Sequence, residues 1–267
     1  MFPGPTMESA EDFVVATSFG DVPVRHYRPQ KVALPHPIVF YHGGGFVLGS
    51  IATYHGLVSR LADTLSADVF SVDYTRAPEA KFPVPVRHCY EVTPHIAQEG
   101  RTWGYHDAKV VVAGDSAGGN FAAVISQLAK QDETFTVSAT LLFYPTVDML
   151  GETESRLQFG HGYLLETEAM VWFGAHYLSD ASDARDLLAS PLLASDISGL
   201  PPTFIATAEY DPLRDEGETY GKRLRAAGNL VEMIRYEGVI HGFLSVPLFD
   251  QAADLLKRSR AFLTRVL

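Results

Sequence analysis

Gly114-Asp115-Ser116-Ala117-Gly118 is the stretch that decides the fold of this chain. It follows a β-branched run over 109–113 and precedes an apolar segment over 120–129 that is typical of a helix. Between a strand and a helix, G-x-S-x-G predicts a nucleophile elbow, a sharp turn that exposes the serine hydroxyl. The turn places the serine at positive φ, so its neighbours must be small. The alternative is a tight turn with an incidental serine.

Short apolar strands alternate with helices on both sides of the elbow. Repeated short apolar strands separated by helices predict a mostly parallel, doubly wound sheet with helices on both faces. The first two strands predict an antiparallel hairpin at a sheet edge, and residues 1–12 are expected to be a frayed leader. Strands are predicted at 13–17, 22–27, 38–41, 68–74, 110–113, 139–145, 203–208 and 231–236, and helices at 54–65, 85–99, 120–129, 215–227 and 247–265.

One segment, around residues 148–190, breaks this alternation. It contains no convincing strand but is rich in large apolar side chains, which predicts a helical insertion above the sheet. No linker or repeat divides the chain, and 267 residues with 46% hydrophobic content suit one large core. We therefore predict a single α/β domain over 1–267 with a helical cap insertion.

Composition excludes several classes of function. The net charge is −11, and no cluster of Lys and Arg is long enough to follow phosphates, which argues against nucleic-acid binding. The single cysteine, Cys89, cannot form an intrachain disulfide and suits a reducing compartment. No signal peptide or membrane-spanning run is recognisable, so we expect a cytoplasmic protein that does not bind membranes.

A serine nucleophile needs a general base within hydrogen-bond reach, and ten histidines compete for that role. In a parallel sheet the base must come from a loop at the carboxyl end of a strand, beside Ser116. His241 follows the last predicted strand, so its position and its order in the chain favour it. The other nine lie within elements, on loops, in the insertion or beside a glycine run: His26, His36, His42, His55, His88, His95, His106, His161 and His176.

Asp211 is predicted to be the acid that orients this base, because it follows the strand at 203–208. The order Ser, Asp, His along the chain is the one expected for this fold. Asp211 could instead serve only as the N-cap of the next helix. Three rivals do not follow the strand directly before that of the histidine: Asp73, Asp115 and Asp148.

A glycine run, His42-Gly43-Gly44-Gly45, follows the strand at 38–41. Its unobstructed backbone N–H groups can face a developing oxyanion. Two such donors and the Ala117 N–H would form an oxyanion hole that stabilises a tetrahedral intermediate. A phosphate-binding loop is the alternative, but no G-x-G-x-x-G or P-loop lysine opens a helix here.

Together these residues resemble the hormone-sensitive-lipase-like carboxylesterases, the bacterial family IV branch of the α/β-hydrolases. HGGG at 42–45 and GDSAGG at 114–119, in this order, carry the resemblance, which runs from residue 24 to the C-terminus. It implies an α/β-hydrolase fold. It also assigns a catalytic triad and three oxyanion-hole donors, which are, respectively, Ser116, Asp211 and His241, and Gly43, Gly44 and Ala117.

Two departures from the family pattern concern the surroundings of the serine. Family members usually carry several dozen further N-terminal residues that join the cap, so a shortened N-terminal cap is expected here. The family also tends to read Tyr-Arg-Leu-Ala-Pro-Glu, followed by an acidic pair. This chain has Tyr74-Thr75-Arg76-Ala77-Pro78-Glu79 and then Arg87-His88, for which an abandoned ion pair is one hypothesis.

The resemblance implies a serine carboxylesterase that hydrolyses short-chain esters through an acyl-enzyme, without a metal or cofactor. An amidase, lactonase or deacetylase with the same triad stays open, as do a homodimer and a non-catalytic small-molecule receptor. Plant gibberellin receptors resemble the family but have lost the histidine that this chain keeps at 241. The residues predicted to line the substrate pocket are Phe46, Tyr163, Leu164, Leu165, Trp172, Phe173 and Phe243.

Overall fold

The computed structural model describes residues 2–267 as an eight-stranded sheet with helices on both faces. The strands are β1 (Ser9–Thr17), β2 (Gly20–Arg28), β3 (Ile38–Tyr41), β4 (Val69–Val72), β5 (Lys109–Asp115), β6 (Thr136–Phe143), β7 (Thr203–Tyr210) and β8 (Val231–Ile240). The helices are α1 (Ile51–Leu65), α2 (Val84–Gln98), α3 (Ala117–Leu128), α4 (Glu154–Phe159), α5 (Thr167–Tyr177), α6 (Arg214–Ala226) and α7 (Asp250–Val266).

The strand order across the sheet is β1-β2-β4-β3-β5-β6-β7-β8. The pairs β1–β2 and β2–β4 are antiparallel, and every later pair is parallel. The predicted mostly parallel sheet of the α/β-hydrolase type is therefore confirmed. All residues of β3 and β4 are buried, which explains why these strands are apolar apart from Ser71.

The core lies in two layers, one on each face of the sheet. Helices α2, α3 and α6 pack on one face, with Val92, Phe121 and Leu224 buried there. Helices α1 and α7 cover the other face through side chains such as Leu61 and Phe262. Because both faces are covered, the functional groups of a parallel sheet must lie at its carboxyl edge.

Several predicted boundaries differ from the structure by a few residues, and at two of them strand pairing extends further than the apolar pattern. β1 begins at Ser9 instead of Phe13, and the Glu8 N–H donates to the Arg28 carbonyl at 2.8 Å, so the leader is not frayed up to residue 12. β8 runs on to Ile240, which pairs with Tyr210 of β7. This longer β8 ends directly before His241.

Between β6 and β7 the chain leaves the sheet and forms two helices, α4 and α5. The single helix suggested by the apolar side chains is thus interrupted, and Leu164 lies in the intervening turn with a φ of 71°. The Thr153 hydroxyl caps α4 by accepting the Arg156 N–H. We refer to residues 154–177 as the roof segment. No helix within residues 2–267 combines the length and the apolar character needed to cross a membrane.

Candidate active site

Ser116 sits in the sharp turn between β5 and α3 with φ 53° and ψ −118°. Residues with a side chain rarely adopt this conformation, and here the crowding of the neighbouring backbone maintains it. A Cβ on Gly118 would lie 1.9 Å from the Tyr41 carbonyl oxygen, and one on Gly114 would lie 2.2 Å from the Gly118 oxygen. The predicted strand, turn and helix around the serine are confirmed, and both glycines are required by close approach.

The structure brings Ser116, His241 and Asp211 together as a hydrogen-bonded chain. His241 Nε2 lies 2.9 Å from Ser116 Oγ, and His241 Nδ1 lies 2.8 Å from Asp211 Oδ2. The other carboxylate oxygen of Asp211 accepts the Leu213 N–H at 2.8 Å, which fixes the carboxylate plane. With its Nδ1–H donated to Asp211, the imidazole presents Nε2 to the serine as an acceptor.

The environment of His241 sets its proton affinity. Burial acts to lower the pKa of His241, but the charge of Asp211 and the hydrogen bond to it act in the opposite direction, and the net effect raises the pKa above its ordinary value. Asp115 and Glu216 add to this rise. The ring of Tyr144, from the end of β6, packs edge-on against the imidazole with centroids 4.9 Å apart.

The glycine run after β3 differs from the prediction by one residue. The Gly43 N–H donates to Asp115 Oδ1 at 2.9 Å, so this group is occupied and Gly43 is not an available oxyanion donor. Gly44 and Gly45 line the cavity beside Ser116, both at positive φ, and no described residue accepts their N–H groups. The Ala117 N–H is free as well, because Ala117 is the first residue of α3.

All these groups follow the carboxyl ends of β3, β5, β7 and β8. We refer to residues 43–45, 115–117, 211 and 241 together as the carboxyl edge. It forms one side of a cavity of about 230 Å³, whose other wall comes mainly from the roof segment. The remaining lining is mostly apolar and comprises Phe46, Tyr54, Thr146, Met149, Arg156, Leu165, Met170, Phe173, Gly174, Leu213, Gly242 and Ser245.

Three of the side chains predicted to line the pocket, Phe46, Leu165 and Phe173, do line this cavity. Phe173 lies directly over the glycine run, since a Cβ on Gly45 would fall 2.4 Å from its ring. Phe46 is held from behind by Tyr177, whose ring stacks on it at 4.0 Å. The roof segment therefore supplies an apolar wall of the cavity next to the glycine run.

The other four predicted pocket residues lie outside the cavity, each for a packing reason. Tyr163 stacks on Tyr210 with ring centroids 5.4 Å apart, and Leu164 is 70% exposed at the turn. Trp172 is turned away from the cavity and packs on His176 at 4.0 Å. Phe243 is fully buried beneath the triad, against Tyr144 and Tyr236.

An ion pair in the cavity wall was not anticipated from the sequence. Arg156 of the roof segment donates two hydrogen bonds, at 3.1 and 2.6 Å, to one oxygen of the fully buried Glu216 carboxylate. The other oxygen accepts the Thr146 hydroxyl at 3.0 Å and the Val147 N–H at 2.9 Å. Burial raises the pKa of Glu216, against the opposing effect of the Arg156 charge. The partners are 60 residues apart, so no local pattern links them.

Metal-type donors converge at one place within residues 2–267, where His161, Glu166 and Glu168 have ligand atoms within 4.8 Å of one another. All three side chains are substantially exposed outside the cavity, His161 and Glu166 on the turn between α4 and α5 and Glu168 in the first turn of α5. Solvated carboxylates at such spacing are common without an ion, and nothing connects this group to Ser116.

Comparison with known proteins identifies a matching family and several related chains. Residues 38–245 match the model of a family described as having the alpha/beta hydrolase fold. The carboxylic ester hydrolase LipN of Mycobacterium tuberculosis is 38% identical over 279 residues, covering 99% of this chain and 73% of the relative. An arylesterase of Saccharolobus solfataricus is 36% identical over 85% of this chain and 74% of its own length.

Solved structures of esterases resemble this chain over almost its whole length. An esterase of Pyrobaculum calidifontis superimposes with a TM-score of 0.92 at 39% identity, covering 98% of this chain and 87% of that one. The thermostable carboxylesterase EstE1, cloned from a metagenomic library, gives a TM-score of 0.92 at 41% identity, with coverage of 98% and 90%.

Proposed function

Because this chain belongs to the α/β-hydrolase family and to its hormone-sensitive-lipase-like carboxylesterase branch, we propose that it hydrolyses short-chain carboxylic esters with Ser116 as the nucleophile. The observation that carries the assignment of residues is the chain of contacts from Ser116 Oγ through His241 to Asp211, at 2.9 and 2.8 Å. No metal or organic cofactor takes part in this chemistry.

In the first half of the reaction His241 Nε2 takes the proton of Ser116 as Oγ attacks the acyl carbon. The carbonyl oxygen becomes an oxyanion, which the N–H groups of Gly44, Gly45 and Ala117 stabilise. Asp211 stabilises the imidazolium that forms without accepting its proton. His241 then protonates the leaving alcohol, and the acyl group stays on Ser116.

In the second half a water molecule attacks the acyl-enzyme. His241 takes a proton from this water, and the same three N–H groups hold the second oxyanion. Collapse of the intermediate returns the proton to Ser116 Oγ and releases the carboxylic acid. Each residue thus acts twice, with His241 alternating between base and acid.

The size and lining of the cavity support the preference for short acyl chains. Its volume of about 230 Å³ lies below the range of roughly 300–1,000 Å³ usual for drug-sized ligands. Phe173, Leu165 and Met170 of the roof segment line the cavity with apolar side chains. A small ester therefore fills the space, whereas a long acyl chain has to displace the roof segment.

A series of p-nitrophenyl esters from acetate to dodecanoate tests this proposal. We expect kcat/KM to peak at short chains and Ser116→Ala to lower kcat by about 10³-fold or more. A fluorophosphonate should label the wild type at Ser116 and leave the variant unmodified. Unimpaired hydrolysis by Ser116→Ala would refute the nucleophile, and a peak at dodecanoate would refute the chain-length preference.

Amide, lactone and N-acetyl substrates of matched size belong in the same assay, because the acyl-enzyme chemistry would serve them too.

A cytoplasmic location and a homodimer remain predictions. The lone, buried Cys89 favours a reducing compartment. Cell fractionation tests the location, and sedimentation of the purified protein tests the dimer.

A further inference from the structure

Asp115, the residue before the nucleophile, makes two contacts that the proposed reaction does not use. Its Oδ1 accepts the Gly43 N–H at 2.9 Å, and its Oδ2 accepts the Tyr54 hydroxyl at 3.0 Å. The side chain is almost completely buried and borders the cavity. It does not orient the base, because Asp211 already holds His241 Nδ1.

The carboxylate is fitted tightly between its neighbours. A Cβ on Gly43 would lie 2.7 Å from Asp115 Oδ2 and 2.9 Å from the Tyr54 hydroxyl oxygen, so the glycine is needed for the contact. Burial raises the pKa of Asp115, and the hydrogen bonds from Tyr54 and Gly43 oppose that rise. A buried carboxyl is unfavourable without such donors. The two hydrogen bonds therefore stabilise the carboxyl and also link Asp115 to Gly43 and Tyr54.

The place of these residues in the chain gives that role. Asp115 is bonded to Ser116, and Gly43 is bonded to Gly44, which lines the cavity. A contact between Asp115 and Gly43 therefore joins the turn that carries the nucleophile to the loop that carries the oxyanion donors. The hole works only if both hold their positions to within a few tenths of an ångström.

We propose that Asp115 is a positioning residue that ties the glycine loop to the nucleophile turn and so fixes the distance between Ser116 Oγ and the Gly44 and Gly45 N–H groups. It acts through Gly43 and does not touch the substrate's reacting atoms. The proposal rests on the proposed function, since it assigns the accuracy of the oxyanion hole to this side chain.

Two substitutions separate position from charge. Asp115→Asn removes the charge but keeps an acceptor oxygen in the same place. Asp115→Glu keeps the charge but adds a methylene, which moves the carboxylate away from its position against the Gly43 N–H and the Tyr54 hydroxyl. We expect Asp115→Asn to retain kcat within about fivefold, since a neutral acceptor makes a weaker hydrogen bond. Asp115→Glu and Asp115→Ala should lower kcat by about 10²-fold, comparable with the loss of one oxyanion donor.

The affinity for an oxyanion distinguishes a positioning role from a merely structural one, because loss of stability alone would not change it. A short alkyl trifluoromethyl ketone adds to a serine hydroxyl and places an oxyanion in the hole, whereas 2-hexanone occupies the cavity without this charge. For Asp115→Glu and Asp115→Ala, Ki for the first compound should rise with the fall in kcat, while Ki for the second stays within about threefold. Rates are expressed per site labelled by a fluorophosphonate, so that misfolded molecules do not count.

Asp68→Asn is the matched control for loss of a buried carboxylate. Asp68 is fully buried and accepts the Tyr105 hydroxyl at 2.8 Å. It precedes β4 and so lies at the amino ends of the parallel strands, away from the carboxyl edge. We expect it to lower Tm and leave kcat per labelled site unchanged. A higher kcat for Asp115→Glu than for Asp115→Asn, or a loss of about 10²-fold in Asp115→Asn alone, would overturn the proposal even if the other variants failed to fold. Activity in Ser116→Ala would refute the proposed function instead.

Discussion

The carboxyl edge and the roof segment face each other across one cavity, but they are built differently. Every residue of α3 from Ala117 to Ser126 is buried, whereas α4 and α5 bury only Ser155 and Tyr177, respectively. The carboxyl edge is therefore part of the core, and the roof segment rests on it through a few contacts. From this difference we expect the carboxyl edge to hold the catalytic groups in place and the less buried roof segment to influence the choice of substrate.

The largest effect should come from the carboxyl edge, through Asp211→Asn. The amide can donate to His241 Nδ1 and so favours the wrong tautomer, with a proton on the nitrogen that faces Ser116. We expect kcat to fall by about 10⁴-fold with little change in fold. Single-turnover kinetics and near-UV circular dichroism measure both. A variant that keeps more than a tenth of the wild-type kcat would refute a catalytic role for the contact between Asp211 and His241.

The attachment of the roof segment predicts the next effect, on stability. Arg156→Met strands the Glu216 carboxylate in the core, which should reduce the free energy of unfolding by about 3 kcal/mol. The double variant Arg156→Met, Glu216→Leu removes both charges and should recover much of that loss. Urea denaturation of the single and double variants gives the coupling. Equal stability of all of them would show that the ion pair is not what holds the roof segment.

The wall that the roof segment provides should control chain length. Phe173→Ala removes the ring over Gly45, and we expect it to raise the ratio of kcat/KM for hexanoate to that for acetate by about tenfold. Trp172→Ala is the matched control, because the neighbouring ring lies outside the cavity on His176. The p-nitrophenyl series measures both ratios. A larger shift for Trp172→Ala than for Phe173→Ala would reverse the roles assigned to these rings.

The smallest effect concerns pH. His241 must be neutral to take the proton of Ser116, and its pKa is raised chiefly by Asp211 acting against burial. The acid limb of kcat/KM should therefore lie above the ordinary histidine value of 6.5, with activity lost as the pH falls through it. In Asp211→Asn the residual activity should show this limb at lower pH. A limb that does not move would assign the titration to another group.

The sequence predicted the carboxyl edge better than the roof segment, for a physical reason. Ser116 and Asp211 each follow a largely buried strand, and His241 follows the partly exposed edge strand β8. Parallel strands bring their carboxyl ends to one edge of the sheet. Their convergence could therefore be predicted without knowing any side-chain packing. In the structure the three side chains do lie within hydrogen-bond distance of one another along the chain Ser116, His241, Asp211. Their catalytic roles are what the variants above test.

Elsewhere local patterns were insufficient. Three consecutive glycines look alike in sequence, and only the contact from Gly43 to Asp115, 72 residues away, distinguishes the occupied N–H from the free ones. In α5 large apolar side chains occur all around the helix, so the pattern could not decide that Phe173 faces the cavity and Trp172 does not. The sequence identifies Asp115 only as a rival acid, because its partners Gly43 and Tyr54 come from the loop after β3 and from α1.

The contact between Ser116 and His241 joins residues 125 positions apart and requires β6, β7 and β8 to be in place. During synthesis the nucleophile and the glycine loop therefore leave the ribosome long before their base does. Until β8 docks, Ser116 is an ordinary alcohol. We therefore expect hydrolytic activity to appear only once the sheet is complete, so that regain of activity after dilution from denaturant measures this step.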